Sequence, residues 1–143
     1  MGGQGGTGFE DRPPSLPFVV GFRYTTTTHV KCLQPIYLIE DQKVATEMLG
    51  NPEGQAPIEI LAKPGYAVGG ILAKASGRVD QMKIIFMRIA GRGLVAGDSY
   101  ESPWIGGTGG GAEVKLAGDG SPVVGVYGRR GNDLDALGLI YLK

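Results

Sequence analysis

The chain has one cysteine and one histidine in 143 residues, and each scarcity closes off a class of function. Cys32 has no partner of its own kind, so an internal disulfide is excluded, and a lone thiol is compatible with either redox compartment. His29 has no second histidine and no cysteine cluster beside it, so nothing suggests a metal site. No motif places an acid and a nucleophile beside it, so no enzymatic activity and no cofactor are expected. An excess of charge of one sign is also missing: 14 Lys and Arg balance 14 Asp and Glu, for a formal net charge of zero. That removes the electrostatic case for nucleic acid or an anionic membrane as partner. No apolar run reaches the length of a transmembrane helix, so membrane insertion is not expected. Met1 is followed by glycines, not by the basic stretch and apolar core of a signal peptide.

What is abundant is glycine, with 26 residues, accompanied by 9 prolines. Such a chain is rich in turns and poor in long helix formers. Its apolar segments are short and made of β-formers: Phe18–Phe22, Pro35–Ile39, Pro57–Leu61, Met82–Ile89, Val123–Tyr127 and Leu137–Leu142. Gly, Pro, Asp or Thr clusters separate most of them, the pattern of an all-β domain rather than of βαβ units. Asp41–Leu49 alone has a helical composition. It lacks a second turn of apolar periodicity and reads as a loop or a strand pair. The length fits a single domain over residues 1–143 with a buried core.

An internal repeat organises these segments. Gly106–Leu142 repeats Gly2–Leu38 without a gap: both open on a glycine block, pass through Val-Val-Gly and close on Ile-Tyr-Leu. Aligning Gly70 with Gly125 exposes a middle copy, in which Asp80 falls on Asp135, Ile85 on Ile140 and Phe86 on Tyr141. Its upstream part is degenerate, with Asn51-Pro-Glu-Gly54-Gln where the glycine block belongs. Three all-β units of roughly 50 residues predict threefold pseudosymmetry around one shared core, because a single sheet-faced unit cannot bury its apolar face alone.

The segment Gly128-Arg-Arg-Gly131-Asn-Asp-Leu-Asp135-Ala-Leu-Gly-Leu-Ile-Tyr resembles the C-terminal signature of jacalin-related lectins, a Gly-x-x-x-Asp loop followed by a final apolar strand. Gly2-Gly-Gln-Gly-Gly6, followed by Phe9-Glu-Asp11, resembles the same family's opening GG loop, and the order of elements fits over the whole chain. The resemblance implies a β-prism of three four-stranded Greek-key sheets. It also implies a metal-independent lectin whose partners are mannose- or glucose-type glycans. Galactose-type members share a processed, free N-terminal glycine beside the site, and this chain shows no sign of that cut. Carried over by position, Gly6, Asn132 and Asp133 would donate backbone N–H groups. Asp135 would accept hydrogen bonds from two sugar hydroxyls. The family usually has a strand ahead of the GG loop, whereas this chain begins at the loop, so a longer natural chain is expected. The competing reading is a structural or protein-interaction β-prism with a vestigial sugar site, part of a larger protein.

The chemistry of these residue types agrees with that implication. A sugar is a ring of hydroxyls, and an ionised carboxylate is the best acceptor for two adjacent ones. Glycines let backbone N–H groups approach a ligand, and a tight loop aims successive ones at a point. Asp133 departs from the apolar or aromatic residues often found there and adds a negative charge beside Asp135, which would raise the pKa of either group.

The repeat adds a comparison between copies. The first copy has Lys31 at the position of Asp135, and lysine cannot accept a hydrogen bond. In a closed prism Asp135 faces Gly2–Gly6, Asp80 faces Gly106–Gly111, and Lys31 faces the degenerate Asn51–Gln55. A second sugar site is therefore expected from Gly110, Gly77, Arg78 and Asp80, with none in the first copy. Weak single sites would act together through avidity, in one chain or in a homo-oligomer. Gly3-x-Gly5-x-x-Gly8 matches a dinucleotide fingerprint in form only, since no strand precedes it and Pro13-Pro14 blocks a following helix. His29 is expected on a surface strand, Cys32 as a buried filler, and Trp104 in the core or stacked on a sugar at the second site.

Overall fold

The computed structural model describes residues 1–15 and 17–142. Among them are thirteen strands and no helix: β1 (Thr7–Asp11), β2 (Phe18–Thr26), β3 (Val30–Ile39), β4 (Gln42–Ala45), β5 (Leu49–Gly50), β6 (Ile58–Leu61), β7 (Tyr66–Ala75), β8 (Val79–Ala90), β9 (Gly93–Glu101), β10 (Ile105–Gly106), β11 (Val114–Ala117), β12 (Val123–Arg130) and β13 (Leu134–Tyr141). The segment Asp41–Leu49 supplies β4 and the start of β5, so its helical composition yields to pairing with β3.

Three sheets repeat one plan. A long antiparallel hairpin forms the centre of each: β2–β3, β7–β8 and β12–β13. On one side β6 pairs with β2, β11 with β7 and β1 with β12. On the other side β3 carries β4 and β5, and β8 carries β9 and β10. At the same edge, among the described residues, β13 carries only the bridge between Gly2 and Ala136. Two sheets thus have five strands and the third has three. Pairing of β1 with β12 joins the two ends of the chain and closes the threefold arrangement.

The inward faces of all three hairpins meet in one apolar cluster. Phe22, Leu33 and Tyr37 come from the first sheet, Ile71, Ile84 and Phe86 from the second, and Val126, Leu137 and Leu139 from the third. Burial of each such side chain contributes about 1.5–3 kcal/mol. Tyr37 reaches through the core with its hydroxyl and donates to the Asp11 carbonyl at 3.0 Å and carboxylate at 2.8 Å, which ties the first sheet to β1.

Each hairpin slips register twice, at equivalent places. The first slips fall at Val19/Gly21, Val68/Gly70 and Val123/Gly125. The second slips lie beside the hairpin loops. Cys32 pairs with Thr25 and Val30 with Thr26, leaving out Lys31; in the same way the second hairpin leaves out Asp80 and the third Asp135. A bulge of this kind takes one residue off the ladder and re-aims its side chain. The three residues singled out by the repeat are therefore the three bulged residues, all at one end of the prism.

Candidate sugar-binding site

The three hairpin loops share one turn. Thr27 N–H donates to His29 O, Ser76 N–H to Arg78 O and Gly131 N–H to Asp133 O, each at 3.0 Å. Each intact glycine block lies against a bulge. Gly3 N–H donates to Asp135 O at 2.7 Å, and Gly107 N–H to Asp80 O at 2.9 Å. The blocks also take the tip of a neighbouring loop: the Gly77 carbonyl occupies the space a Cβ on Gly3 would need, and the Thr28 carbonyl that of Gly107. Only glycine permits backbone to approach this closely.

Asp135 stands at the centre of the first candidate site. Its carboxylate lies beside three glycines: a Cβ on Gly5 would be 3.6 Å from Cγ, one on Gly131 3.5 Å from Oδ2, and one on Gly6 2.5 Å from Oδ2. Gly6 has φ +68°, a conformation that glycine adopts without strain. Among the described residues no hydrogen bond or ion pair engages the Asp135 carboxylate, which is half-buried. The structure thus brings together Gly6, Asp135 and the loop holding Asn132, which is exposed.

Asp133 behaves differently from the sequence expectation. Its carboxylate takes Lys31 Nζ and His29 Nε2 on the same oxygen, both at 2.7 Å. Burial alone would raise its pKa, but the hydrogen bonds from Lys31 and His29 outweigh that and hold it below the usual carboxylate value. Lys31 is raised in turn by its hydrogen bonds to Asp133 and then to Glu53. His29, expected at the surface, is 6% exposed, because it is the inner wall of this contact.

Arg129 was not singled out by its sequence context. Its Nε donates to Gln4 O at 3.1 Å and Gly5 O at 3.0 Å, and its Nη2 to Gly6 O at 2.8 Å. One guanidinium therefore fixes three successive carbonyls of the glycine block. The repeat held a signal for it, since Lys74 and Thr25 occupy the equivalent positions and neither offers that fork.

The second set is built on the same frame but filled in. Asp80 is 5% exposed, receives Ser76 Oγ at 2.7 Å, and has Arg78 Nε at 3.8 Å. Gly109 is the glycine beside its carboxylate, whereas Gly110 packs on Lys74 and Gly77 turns to Gly3. The structure therefore brings Arg78 and Gly109 to the Asp80 carboxylate. Trp104 is not in the core: it is 36% exposed, with Lys74 Nζ 5.2 Å and Lys83 Nζ 5.1 Å from its ring. Cys32 is buried as expected and lies 3.0 Å from Thr25 Oγ1. In the first copy Lys31 meets Glu53 of the degenerate block at 2.9 Å.

No protein-family model matches the sequence, and comparison with curated protein sequences gives no match. Solved structures do match. Artocarpin in its complex with mannotriose superposes with a TM-score of 0.75 at 18% identity, over 100% of this chain and 94% of artocarpin. The mannose-binding lectin from champedak gives 0.74 at 16% identity, over 100% and 93%. Wild-type Malaysian banana lectin gives 0.73 at 16% identity, over 99% and 94%. The three-sheet architecture, closed by its own first strand, is thus the β-prism fold of the jacalin-related mannose-binding lectins.

Proposed function

We propose that this chain is a carbohydrate-binding lectin domain that takes mannose- or glucose-type glycans at the Asp135 loop and performs no chemistry on them. The observation that carries the reading is the Asp135 carboxylate, walled by Gly5, Gly6 and Gly131 and engaged by no donor among the described residues. Two acceptor oxygens beside three glycines match a pair of adjacent sugar hydroxyls. Backbone N–H groups of Gly6, Asn132 and Asp133 supply the donors for ring and hydroxyl oxygens. Its structural neighbours include lectins solved with mannose-containing ligands, artocarpin with mannotriose among them.

The Asp80 set, with Arg78, Gly77 and Gly110, is the secondary site of this reading. A glycan there competes with Ser76 for the carboxylate, so it binds more weakly than at Asp135. Calorimetric titration with methyl α-mannoside and methyl α-galactoside tests the proposal. Saturable binding of the mannoside, lost in Asp135→Ala, is expected. A wild-type chain that, while folded, fails to bind the mannoside, or binds the galactoside as tightly, would overturn it.

A further inference from the structure

We infer that the first repeat, having no acid in its own loop, acts as the buttress of the third: Lys31 and His29 are positioning residues that hold Asp133, and through it the backbone of Gly131–Asp135. The inference rests on the reading of that loop as sugar-binding. Asp133 Oδ1 accepts from both Lys31 Nζ and His29 Nε2 at 2.7 Å. The lysine side chain is 7% exposed and the histidine 8%. Lys31 Nζ also meets Glu53 Oε1 at 2.9 Å, so residues from both halves of the missing site converge on one ammonium. His29 Nδ1 lies 3.3 Å from the Thr27 and Thr28 hydroxyls. With Nδ1 accepting from one of them, a neutral ring presents Nε2–H to Asp133.

The contact bears on the binding loop through the main chain. Asp133 O accepts from Gly131 N–H, so a fixed Asp133 side chain also fixes the turn. The third position of that turn distinguishes the loops. In the second loop it is Arg78, which reaches back to its own Asp80 at 3.8 Å. In the third loop it is Asp133, which reaches out to another repeat and leaves Asp135 uncovered. A nearly buried ammonium stripped of one carboxylate partner is left under-compensated, so the arrangement resists loosening.

The test uses the whole isotope-labelled chain and reads amide hydrogen exchange residue by residue, together with methyl α-mannoside affinity. In Lys31→Gln and Asp133→Asn, exchange of the Gly131–Asp135 amides should rise at least tenfold while core amides such as Val68 and Ile84 stay unchanged. Mannoside affinity should fall about tenfold in both. The double variant should be no worse than either single one, as expected of residues acting as a unit. Lys31→Arg should restore both readouts, and His29→Gln, a milder change, serves if Lys31→Gln does not fold. Loop exchange that stays at the wild-type rate, or that rises equally in the core, overturns the inference. Unchanged affinity in a variant whose loop has loosened overturns it too. If the wild-type chain binds no mannoside, the functional reading fails, and the exchange data alone decide whether the buttress exists.

Discussion

Replacing Asp135 and Asp80 by alanine should have opposite consequences, although the two residues are equivalent by repeat. Asp135 has no donor on its carboxylate among the described residues, so its removal orphans none of them. Unfolding free energy should then change by no more than about 0.5 kcal/mol. The same substitution deletes the proposed acceptor of two sugar hydroxyls. Charge-assisted bonds of this kind are worth about 1.5–3 kcal/mol, roughly ten- to a hundredfold in affinity. Asp80 is nearly buried and bonded to Ser76 within its own loop. Asp80→Ala should cost about 1 kcal/mol of stability. That corresponds to roughly 2–4 °C in thermal midpoint. Affinity at the Asp135 site should be retained. Thermal unfolding and mannoside titration of the two variants side by side provide the assay. Equal loss of stability in both, or a larger loss in Asp135→Ala, would refute the argument that one carboxylate is vacant and the other engaged.

Other outcomes follow from the same geometry. Arg129→Met removes the fork that holds three carbonyls of the glycine block; mannoside affinity should drop about tenfold with little change in thermal midpoint. Gly107→Ala places a methyl where the Thr28 carbonyl sits, and chemical denaturation should show a loss of about 3 kcal/mol. The pKa of Asp133 is depressed, so its contribution to stability is complete above the ordinary carboxylate range and is lost as pH falls through the depressed value. The stability gap between the wild-type chain and Asp133→Asn, followed by denaturation at several pH values, should therefore be constant from neutrality down to that range and close below it.

The repeat made the threefold plan legible: Val-Val-Gly and Ile-Tyr-Leu recur at a constant offset in the first and third hairpins, and aligning Gly70 with Gly125 exposed the second between them. The facing of Asp135 on Gly2–Gly6 and of Lys31 on Asn51–Gln55 was legible for the same reason. Contacts that depend on which side chain crosses between repeats were not. His29 and Asp133 are 104 residues apart, and nothing local to the threonine run marks that histidine as buried. Trp104 follows Pro103, and its ring lies on the outside of the second sheet beneath two lysines, a place that composition does not distinguish from the core. The register slips beside the loops were also hidden, since a bulge is a relation between two strands rather than a property of either.

Those slips separate two tasks that a β-sheet usually combines. In a regular strand every residue must serve the ladder and choose a face, so a change from acid to base disturbs folding and surface together. At the bulges the backbone path is the same whether the occupant is Lys31, Asp80 or Asp135. The position is an interchangeable socket: the prism supplies the mount, and a single side chain decides whether that corner leaves a carboxylate open, covers its own, or reaches into a neighbouring repeat. A fold with three such sockets can change how many ligands it holds by altering occupants, with its sheets left as they are.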